Sequence, residues 1–395
     1  MKRSYNLVTD VLPAAALPFA LSVGVLLFSA VAAGAANLGS SPIPLLNDGV
    51  MIRMPVKTLG KTLYFLLDSG FTISSIDAEY QSAVGAPFTE YSAGSPLGTE
   101  KDLLVYHCPA MTIAGKVLDL NKITCLDLQM PKYISGQSCD GILGMDFLER
   151  NVVSLDFDNN QFCLTHTVSA NIKRTFVPIP LTKTPQFYKL DAVLDQARHL
   201  SLMVDTGDNS SISLNAESWQ EVFGDTQKNV IIATVADAAN RIAQSKIGVI
   251  GRLQIGNLCY TNLHATFIRN PDSPSHIGLG FFKRHKVTFD FANQMLYLQP
   301  GQKFFTSDQE DMSGLHLLRE GESTIVYSVD VTSPAYNKGI RPNDVVEIVD
   351  GQKASSLTMR DIRRILRSHD GEEVDLQIKR GDHVLDIAFA LKKAI

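Results

Sequence analysis

The chain lacks several patterns that mark common functional classes. Its five cysteines include no C-x-x-C pair, which excludes zinc-ribbon and thioredoxin-like motifs. Its nine histidines form no H-E-x-x-H, and the sequence has no G-x-S-x-G, P-loop or dinucleotide fingerprint. The net charge is −5 with no run of basic residues, which argues against nucleic acid as a partner. The sequence therefore predicts no metal and no organic cofactor.

Long apolar runs are scarce after the N-terminus. An uncharged stretch over residues 11–36 follows two basic residues and ends in small ones, with Ala33–Ala35 as an A-x-A cleavage site. This pattern predicts a secretory signal peptide over residues 1–36. A retained membrane anchor is the alternative, although Pro13 and Pro18 would interrupt its helix. Either way, the remaining chain is predicted to be exported, to a periplasmic or extracellular location.

Cysteine and tryptophan are also sparse. An odd number of cysteines in an exported chain leaves at least one thiol unpaired. Cys108 and Cys125 flank an apparent hairpin, so they form either a disulfide or two small buried apolar residues. The single tryptophan, Trp219, lies on a predicted helical stretch over residues 217–223 and is interpreted as a core residue.

A duplicated motif is the strongest signal present. Asp68–Gly70 and Asp205–Gly207 both read Asp-(Ser/Thr)-Gly, and each follows an apolar run typical of a buried strand. A glycine-containing apolar block follows each copy, over residues 140–144 and 276–280. The aspartates are 137 residues apart, and Gly144 and Gly280 are 136 apart. Matched order and spacing indicate an internal duplication.

The motif suits a pair of carboxylates that share one proton around a water molecule. Asp68 and Asp205 are therefore the candidate catalytic residues, because two nearby carboxylates cannot both ionise easily and so divide acid and base roles. The adjacent hydroxyls of Ser69 and Thr206 can donate hydrogen bonds across the junction. The glycines that follow, Gly70 and Gly207, allow tight turns that bring amide N–H groups near the carboxylates.

Residues 45–300 resemble the retropepsin and pepsin class of aspartic proteases. The resemblance implies two tandem retropepsin-like β-barrel lobes, over residues 40–166 and 167–303, forming one bilobed aspartic-protease unit. It implies an aspartic endopeptidase acting on polypeptides, with a flap at about residues 90–99. The family usually has a small residue where Phe71 and Asp208 stand. The alternative is therefore a catalytically inactive, peptide-binding adaptor.

The C-terminal segment over residues 304–395 resembles a PDZ domain. Its specific part is the run Ser-Pro-Ala, Lys-Gly-Ile-Arg-Pro-Asn-Asp-Val-Val and Val-Asp-Gly within residues 333–351. Such domains bind an extended peptide as an added strand. The candidate loop for a peptide's terminal carboxylate is Gly314, Leu315, His316 and Leu317. The expected fold is therefore mainly β, followed by an α+β PDZ-like domain with a possible C-terminal peptide ligand.

Overall fold

A computed structural model describes residues 41–94, 100–195, 197–224, 230–236 and 242–394. The predicted signal or anchor segment over residues 1–36 lies outside these residues. Across the described part of the chain, no helix combines the length and the apolar character needed to span a membrane. The fold is mainly β, as predicted.

The elements run in chain order through three stretches. The first stretch contains β1 (Ile43–Pro44), β2 (Leu46–Asn47), β3 (Ile52–Thr58), β4 (Lys61–Leu67), β5 (Ser75–Asp77), α1 (Gln81–Val84), β6 (Thr89–Gly94), β7 (Glu100–His107), β8 (Thr112–Ile113), β9 (Lys116–Val117), β10 (Lys122–Leu126), α2 (Gln129–Ser135), β11 (Gly141–Leu143), α3 (Met145–Leu148), β12 (Val152–Asp156) and β13 (Gln161–Thr165). The second contains α4 (Ala170–Thr175), β14 (Val177–Pro180), β15 (Thr182–Lys183), β16 (Tyr188–Leu194), β17 (Arg198–Asp205), β18 (Ile212–Leu214), α5 (Ala216–Phe223), β19 (Val230–Ala236), β20 (Ile242–Ile255), β21 (Leu258–Phe267), β22 (His276–Gly278), α6 (Leu279–Phe282), β23 (His285–Asp290) and β24 (Met295–Pro300). The third contains β25 (Leu315–Glu320), β26 (Ser323–Val329), α7 (Pro334–Asn337), β27 (Val345–Val349), β28 (Gln352–Lys353), α8 (Met359–Leu366), β29 (Glu373–Arg380) and β30 (His383–Ala390). Single turns of 3-10 helix lie at Ala78–Tyr80, Phe291–Asn293 and Ala354–Ser356.

The first two stretches repeat one strand arrangement. Their sheets contain the orders β10-β5-β11-β4-β3 and β21-β18-β22-β17-β16. In each, the strand that leads into the aspartate lies parallel to a short later strand, β4 with β11 and β17 with β22. The strand pairing therefore agrees with the internal duplication inferred from the motif spacing.

A third sheet joins the two repeats. Its order is β1-β13-β12-β23-β24-β14, so three strands of the first repeat lie beside three of the second in one antiparallel layer, and β12 pairs with β23 where the two sets meet. One continuous apolar core lies beneath, and it includes Phe65 and Phe147 from the first repeat and Phe281 and Phe289 from the second. The described chain from residue 41 onward belongs to one compact unit. The boundaries assigned to the two lobes, residues 40–166 and 167–303, stay a prediction.

The third stretch has its own sheet and core. The sheet order is β25-β26-β27-β29-β30, with β28 paired to β27. Helix α8 begins with a capping box, in which Thr358 and Asp361 exchange hydrogen bonds, and it packs Met359, Ile362 and Leu366 into the core. The capping box satisfies amide N–H groups that the first turn of a helix otherwise leaves unpaired.

The structure answers the questions that the sequence left about the cysteines, Trp219 and residues 90–99. None of the five cysteines, all of which lie in the described part of the chain, forms a disulfide, so Cys108 and Cys125 are two separate half-buried side chains. Trp219 is buried on α5 against Phe223 and Phe267, which confirms its assignment to the core. Of the flap expected at about residues 90–99, residues 90–94 belong to β6, which pairs with β7, and residues 95–99 lie outside the described part of the chain.

Candidate functional site

The two motif aspartates lie at the ends of equivalent buried strands. Asp68 follows β4 directly, and its N–H donates to the carbonyl of Leu143 on β11 at 3.0 Å. Asp205 ends β17 and pairs with Gly278 on β22. The apolar runs before each aspartate form these strands because their side chains are buried on both faces. Each carboxyl therefore emerges where a core strand stops.

Ser69 and Thr206 join the two aspartate loops. The N–H of Ser69 donates to Thr206 Oγ1 at 3.0 Å, and the N–H of Thr206 donates to Ser69 Oγ at 3.0 Å. The hydroxyls donate onward, from Ser69 to the carbonyl of Val204 at 2.8 Å and from Thr206 to that of Leu67 at 2.9 Å. The predicted hydrogen bonding across the junction is present, and both side chains are buried.

Gly70 and Gly207 let each loop approach the opposite carboxylate. A Cβ on Gly70 would lie 2.7 Å from both carboxyl oxygens of Asp205, and one on Gly207 would lie 2.3 Å from Asp68 Oδ2. Each glycine N–H instead donates to its own motif aspartate, at 2.8 Å to Asp68 and 3.0 Å to Asp205. The glycines therefore provide both the close approach and the amide donors expected of them.

Asp68 and Asp205 are brought together as one carboxyl pair. Their side chains are within hydrogen-bond reach of each other. Burial raises the pKa of Asp68 well above its ordinary range, and the charge of Asp205 raises it further. Burial also raises the pKa of Asp205, whereas the nearby His276 lowers it. The pair therefore retains one proton at a pH where an isolated carboxyl would be ionised.

An ion pair beside this site was missed from the sequence. His276 Nε2 lies 2.9 Å from Asp208 Oδ2 and 4.0 Å from Asp205 Oδ2. Burial lowers the pKa of His276, but the bond to Asp208 and its charge outweigh that effect and raise it to about 9. Asp208, a departure from the family pattern, is thus neutralised by a buried cation.

The strand register explains why the comparison of motif spacings missed the ion pair of His276 and Asp208. The spacing matched Gly144 with Gly280, but the structure places Gly278 in the position equivalent to Gly144, because each of Gly144 and Gly278 is the N-cap of the next helix. His276 therefore corresponds to Ile142, and Asp208 to Phe71. In the first repeat Phe71 and Ile142 belong to one apolar cluster. The signal in the sequence that could have indicated the ion pair was His276, which begins an otherwise apolar block over residues 276–280.

Serines also surround Asp208. The hydroxyls of Ser210 and Ser213 both donate to Asp208 Oδ2, the latter at 2.7 Å. A catalytic triad needs the serine hydroxyl to donate to the imidazole, which the carboxylate then orients. Here hydroxyls and imidazole converge on the carboxylate instead, and those bonds hold the pKa of Asp208 far below its usual range. The cluster has the residue types of a triad without its connectivity.

The predicted carboxylate loop of the third stretch is engaged by its own chain. Asp311 Oδ1 accepts hydrogen bonds from the N–H groups of Ser313 and Gly314, both at 2.9 Å. The N–H of Leu315 donates to Ser313 Oγ at 3.1 Å. Leu315 and Leu317 point into the core, and His316 pairs with Asp330 at 2.9 Å. The first amides of this loop therefore already hold a carboxylate.

Helix α2 of the first repeat covers strand β25, which ends the sheet of the third stretch. It packs against β25 and touches α8. A Cβ on Gly136, which ends α2, would meet Met359 Cγ at 2.8 Å and Arg319 Cβ at 3.2 Å. The guanidinium of Arg363 donates to the carbonyl of Ile134. The exposed edge of β25, to which a peptide strand could be added, is therefore packed against another part of the chain.

Comparison with known proteins shows a PDZ domain. A model of the PDZ domain family matches residues 325–380, which confirms that part of the expectation. Proteins named probable CtpA-like serine protease also match, including one from Staphylococcus aureus strain N315, at 22% identity over 196 residues. A second, from strain MRSA252, is 23% identical over 206 residues. These matches cover 48% and 50% of this chain but only 40% and 42% of the relatives.

Two solved structures show weaker likeness. Basic 7S globulin from soybean covers 65% of this chain and 93% of its own, at 11% identity and a TM-score of 0.41. The photosystem II D1 C-terminal processing protease covers 24% of this chain and 26% of its own, at 18% identity and a TM-score of 0.22. Scores this low do not assign a fold.

These comparisons correct the predicted activity. The expectation of an aspartic endopeptidase is contradicted, because the matching relatives are named serine proteases. The interpretation of the first two stretches as a retropepsin-like aspartyl protease conflicts with the same finding, whereas the PDZ domain is confirmed by the family model. The assignment of Asp68 and Asp205 as site residues is a separate claim, which these matches do not test.

Proposed function

We propose that this protein binds polypeptides. The observation that carries the proposal is the PDZ domain matched over residues 325–380. Domains of this kind bind an extended peptide by main-chain pairing at a sheet edge. β25 is such an edge strand, and helix α2 packs against it in this structure. The protease names of the relatives also support a polypeptide as the molecule acted on.

We propose the Asp68–Asp205 pair as a second contact for the bound polypeptide. A pair that holds one proton presents one O–H donor and one carboxylate acceptor at a single point. A peptide group offers the complementary C=O acceptor and N–H donor. Asp68 is partly exposed and Asp205 keeps some contact with solvent, so a ligand can reach the pair. Ser69, Gly70, Thr206 and Gly207 support this site as described above.

Binding of an unfolded probe tests the proposal. Fluorescein-labelled, reduced and carboxymethylated lactalbumin is titrated with the full chain, and fluorescence anisotropy is followed from pH 4 to pH 8. We expect saturable binding whose affinity changes with pH as the carboxyl pair loses its proton. In the Asp68→Asn/Asp205→Asn variant, binding should persist without that pH dependence.

Two results would contradict these claims separately. Absence of binding to the wild-type chain would overturn polypeptide binding. Binding with an unchanged pH profile in the double asparagine variant would overturn the role of Asp68 and Asp205. Circular dichroism of both proteins at each pH controls for unfolding.

The names of the relatives favour a second candidate function, hydrolysis of polypeptides by a serine nucleophile. Such a serine needs a base that accepts its proton. Asp208, which accepts from Ser210 and Ser213, is a poor base because its own pKa is strongly lowered. A fluorophosphonate probe tests this function: covalent labelling of the native but not the heat-denatured chain supports it, and mass spectrometry locates the serine. Failure to label the native chain contradicts it.

A further inference from the structure

His276 is held as an imidazolium by its two hydrogen bonds. Its Nδ1 lies 3.0 Å from the carbonyl oxygen of Pro274, and its Nε2 lies 2.9 Å from Asp208 Oδ2. Both partners are acceptors, so both ring nitrogens must carry a proton, which only the cation does. The raised pKa of His276, about 9, agrees with this geometry. The ring is buried, with 6% of its side chain exposed, so water does not screen its charge.

This cation makes the two aspartates unequal. Asp205 Oδ2 lies 4.0 Å from His276 Nε2. In the first repeat, the corresponding positions hold Phe71 and Ile142, which belong to an apolar cluster. The second repeat therefore has an ion pair where the first repeat has two apolar residues. The positive charge of this ion pair lies beside Asp205 and has no counterpart beside Asp68. An adjacent cation favours the ionised form of a carboxyl.

We propose that His276 is a positioning residue that places the shared proton on Asp68 and the negative charge on Asp205. The charged and titratable groups that face His276 are Asp205 on β17 and Asp208 on the loop after it, and those that face Asp205 are Asp68, Asp208 and His276. Asp208 alone would oppose the assignment by repulsion, but its charge is balanced by the imidazolium and by two serine hydroxyls. The inference rests on the proposed function, because it concerns the same carboxyl pair.

The assignment gives the site a fixed polarity. Asp68 becomes the hydrogen-bond donor and Asp205 the acceptor for a bound peptide group. The amides of Gly207 and Asp208 strengthen this, because both donate to Asp205 Oδ1, at 3.0 Å and 3.2 Å, whereas Asp68 receives the single amide of Gly70. More donors on one carboxyl stabilise its ionised form.

Carbon-13 NMR of the full chain labelled at aspartate Cγ tests the assignment. The Asp68→Asn and Asp205→Asn variants identify the two resonances. We expect the wild-type Asp68 resonance to titrate at a higher pH than that of Asp205. In Asp208→Phe/His276→Ile, which copies the first repeat, the Asp205 titration should move up by about one pH unit or more. His276→Gln, which keeps a donor but no charge, should shift it in the same direction.

The outcomes separate this inference from the proposed function. A wild-type protein in which Asp205 holds the proton, or a folded double variant with unchanged titrations, would overturn the role of His276. Two carboxyls that titrate independently in the ordinary range would overturn proton sharing itself. If the probe polypeptide fails to bind while the titrations are as expected, the proposal of polypeptide binding is contradicted and the proton assignment is retained. Thermal unfolding of each variant establishes that it is folded.

Discussion

Ser69 and Thr206 are each other's hydrogen-bond partners across the junction of the two repeats. Each accepts the other's backbone N–H at 3.0 Å, and each hydroxyl donates to a carbonyl of the opposite strand. Both side chains are 1% exposed. Four hydrogen bonds therefore depend on two hydroxyl groups, and the separation of Asp68 from Asp205 depends on those bonds.

Replacing Thr206 by valine should destabilise the fold. Valine keeps the shape but removes the hydroxyl, which leaves the N–H of Ser69 and the carbonyl of Leu67 without partners. We expect a loss of about 2–4 kcal/mol in the free energy of unfolding, measured by urea denaturation. Thr206→Ser, which keeps the hydroxyl, is the matched control and should lose about 1 kcal/mol or less. Equal losses in the two variants would show that the hydroxyl does not hold the junction.

Gly207→Ala should damage the carboxyl pair more than the fold. The added Cβ would lie 2.3 Å from Asp68 Oδ2, so the carboxyl must move away from Asp205. We expect the raised pKa of Asp68 to fall toward its ordinary range, measured by the aspartate Cγ titration. Gly251→Ala is the control, because a Cβ there meets nothing within 4 Å. An Asp68 titration that Gly207→Ala leaves unchanged would contradict the close approach.

Stability should depend on pH through His276. Its pKa in the folded chain, about 9, lies above its ordinary value, so its stabilising contribution is complete below about pH 6.5 and is lost as the pH rises through 9. The difference in unfolding free energy between pH 6.5 and pH 10 should be about 3 kcal/mol smaller in His276→Gln than in the wild type. Guanidinium denaturation at each pH measures it.

His285 provides the control for that pH dependence. Burial lowers the pKa of His285 to about 3, so this ring is neutral in the folded chain throughout the window above pH 6.5. Only the end of its titration in the unfolded chain falls inside the window, so His285→Gln should change the stability difference between pH 6.5 and 10 by only about 0.4 kcal/mol. A larger change in this variant would show that other groups titrate in the window.

The sequence predicted that Asp68 and Asp205 come together, but it did not predict the contacts around them. Apolar strands that end in Asp-(Ser/Thr)-Gly are local patterns, so Asp68 and Asp205 could be placed without knowledge of the packing. The pairing of Gly278 with Asp205 could not, because strand register is set by the packed sheet and a shift changes which residue faces the loop. The bond between His276 and Asp208, 68 positions apart, follows from that register.

Helix α2 and its contact with the PDZ domain were not predicted either. The helix is seven residues long, contains Pro131 and lacks a side-chain N-cap, so its local signal is weak. Its partner Arg363 lies 229 residues further along the chain. A contact of this kind depends on how two sheets pack, which no local pattern encodes.

Loosening α2 from β25 should increase polypeptide binding. Arg363 donates to the carbonyl of Ile134 at the end of α2, so Arg363→Ala removes a hydrogen bond from a charged donor that holds the helix over the strand edge. If that edge binds the polypeptide, a bond of about 1–2 kcal/mol corresponds to an affinity for the labelled lactalbumin roughly five- to thirty-fold higher. Arg364→Ala is the matched control, because that side chain is 78% exposed on the same helix. Equal affinities for the two variants would place the polypeptide elsewhere and leave α2 as a purely structural element.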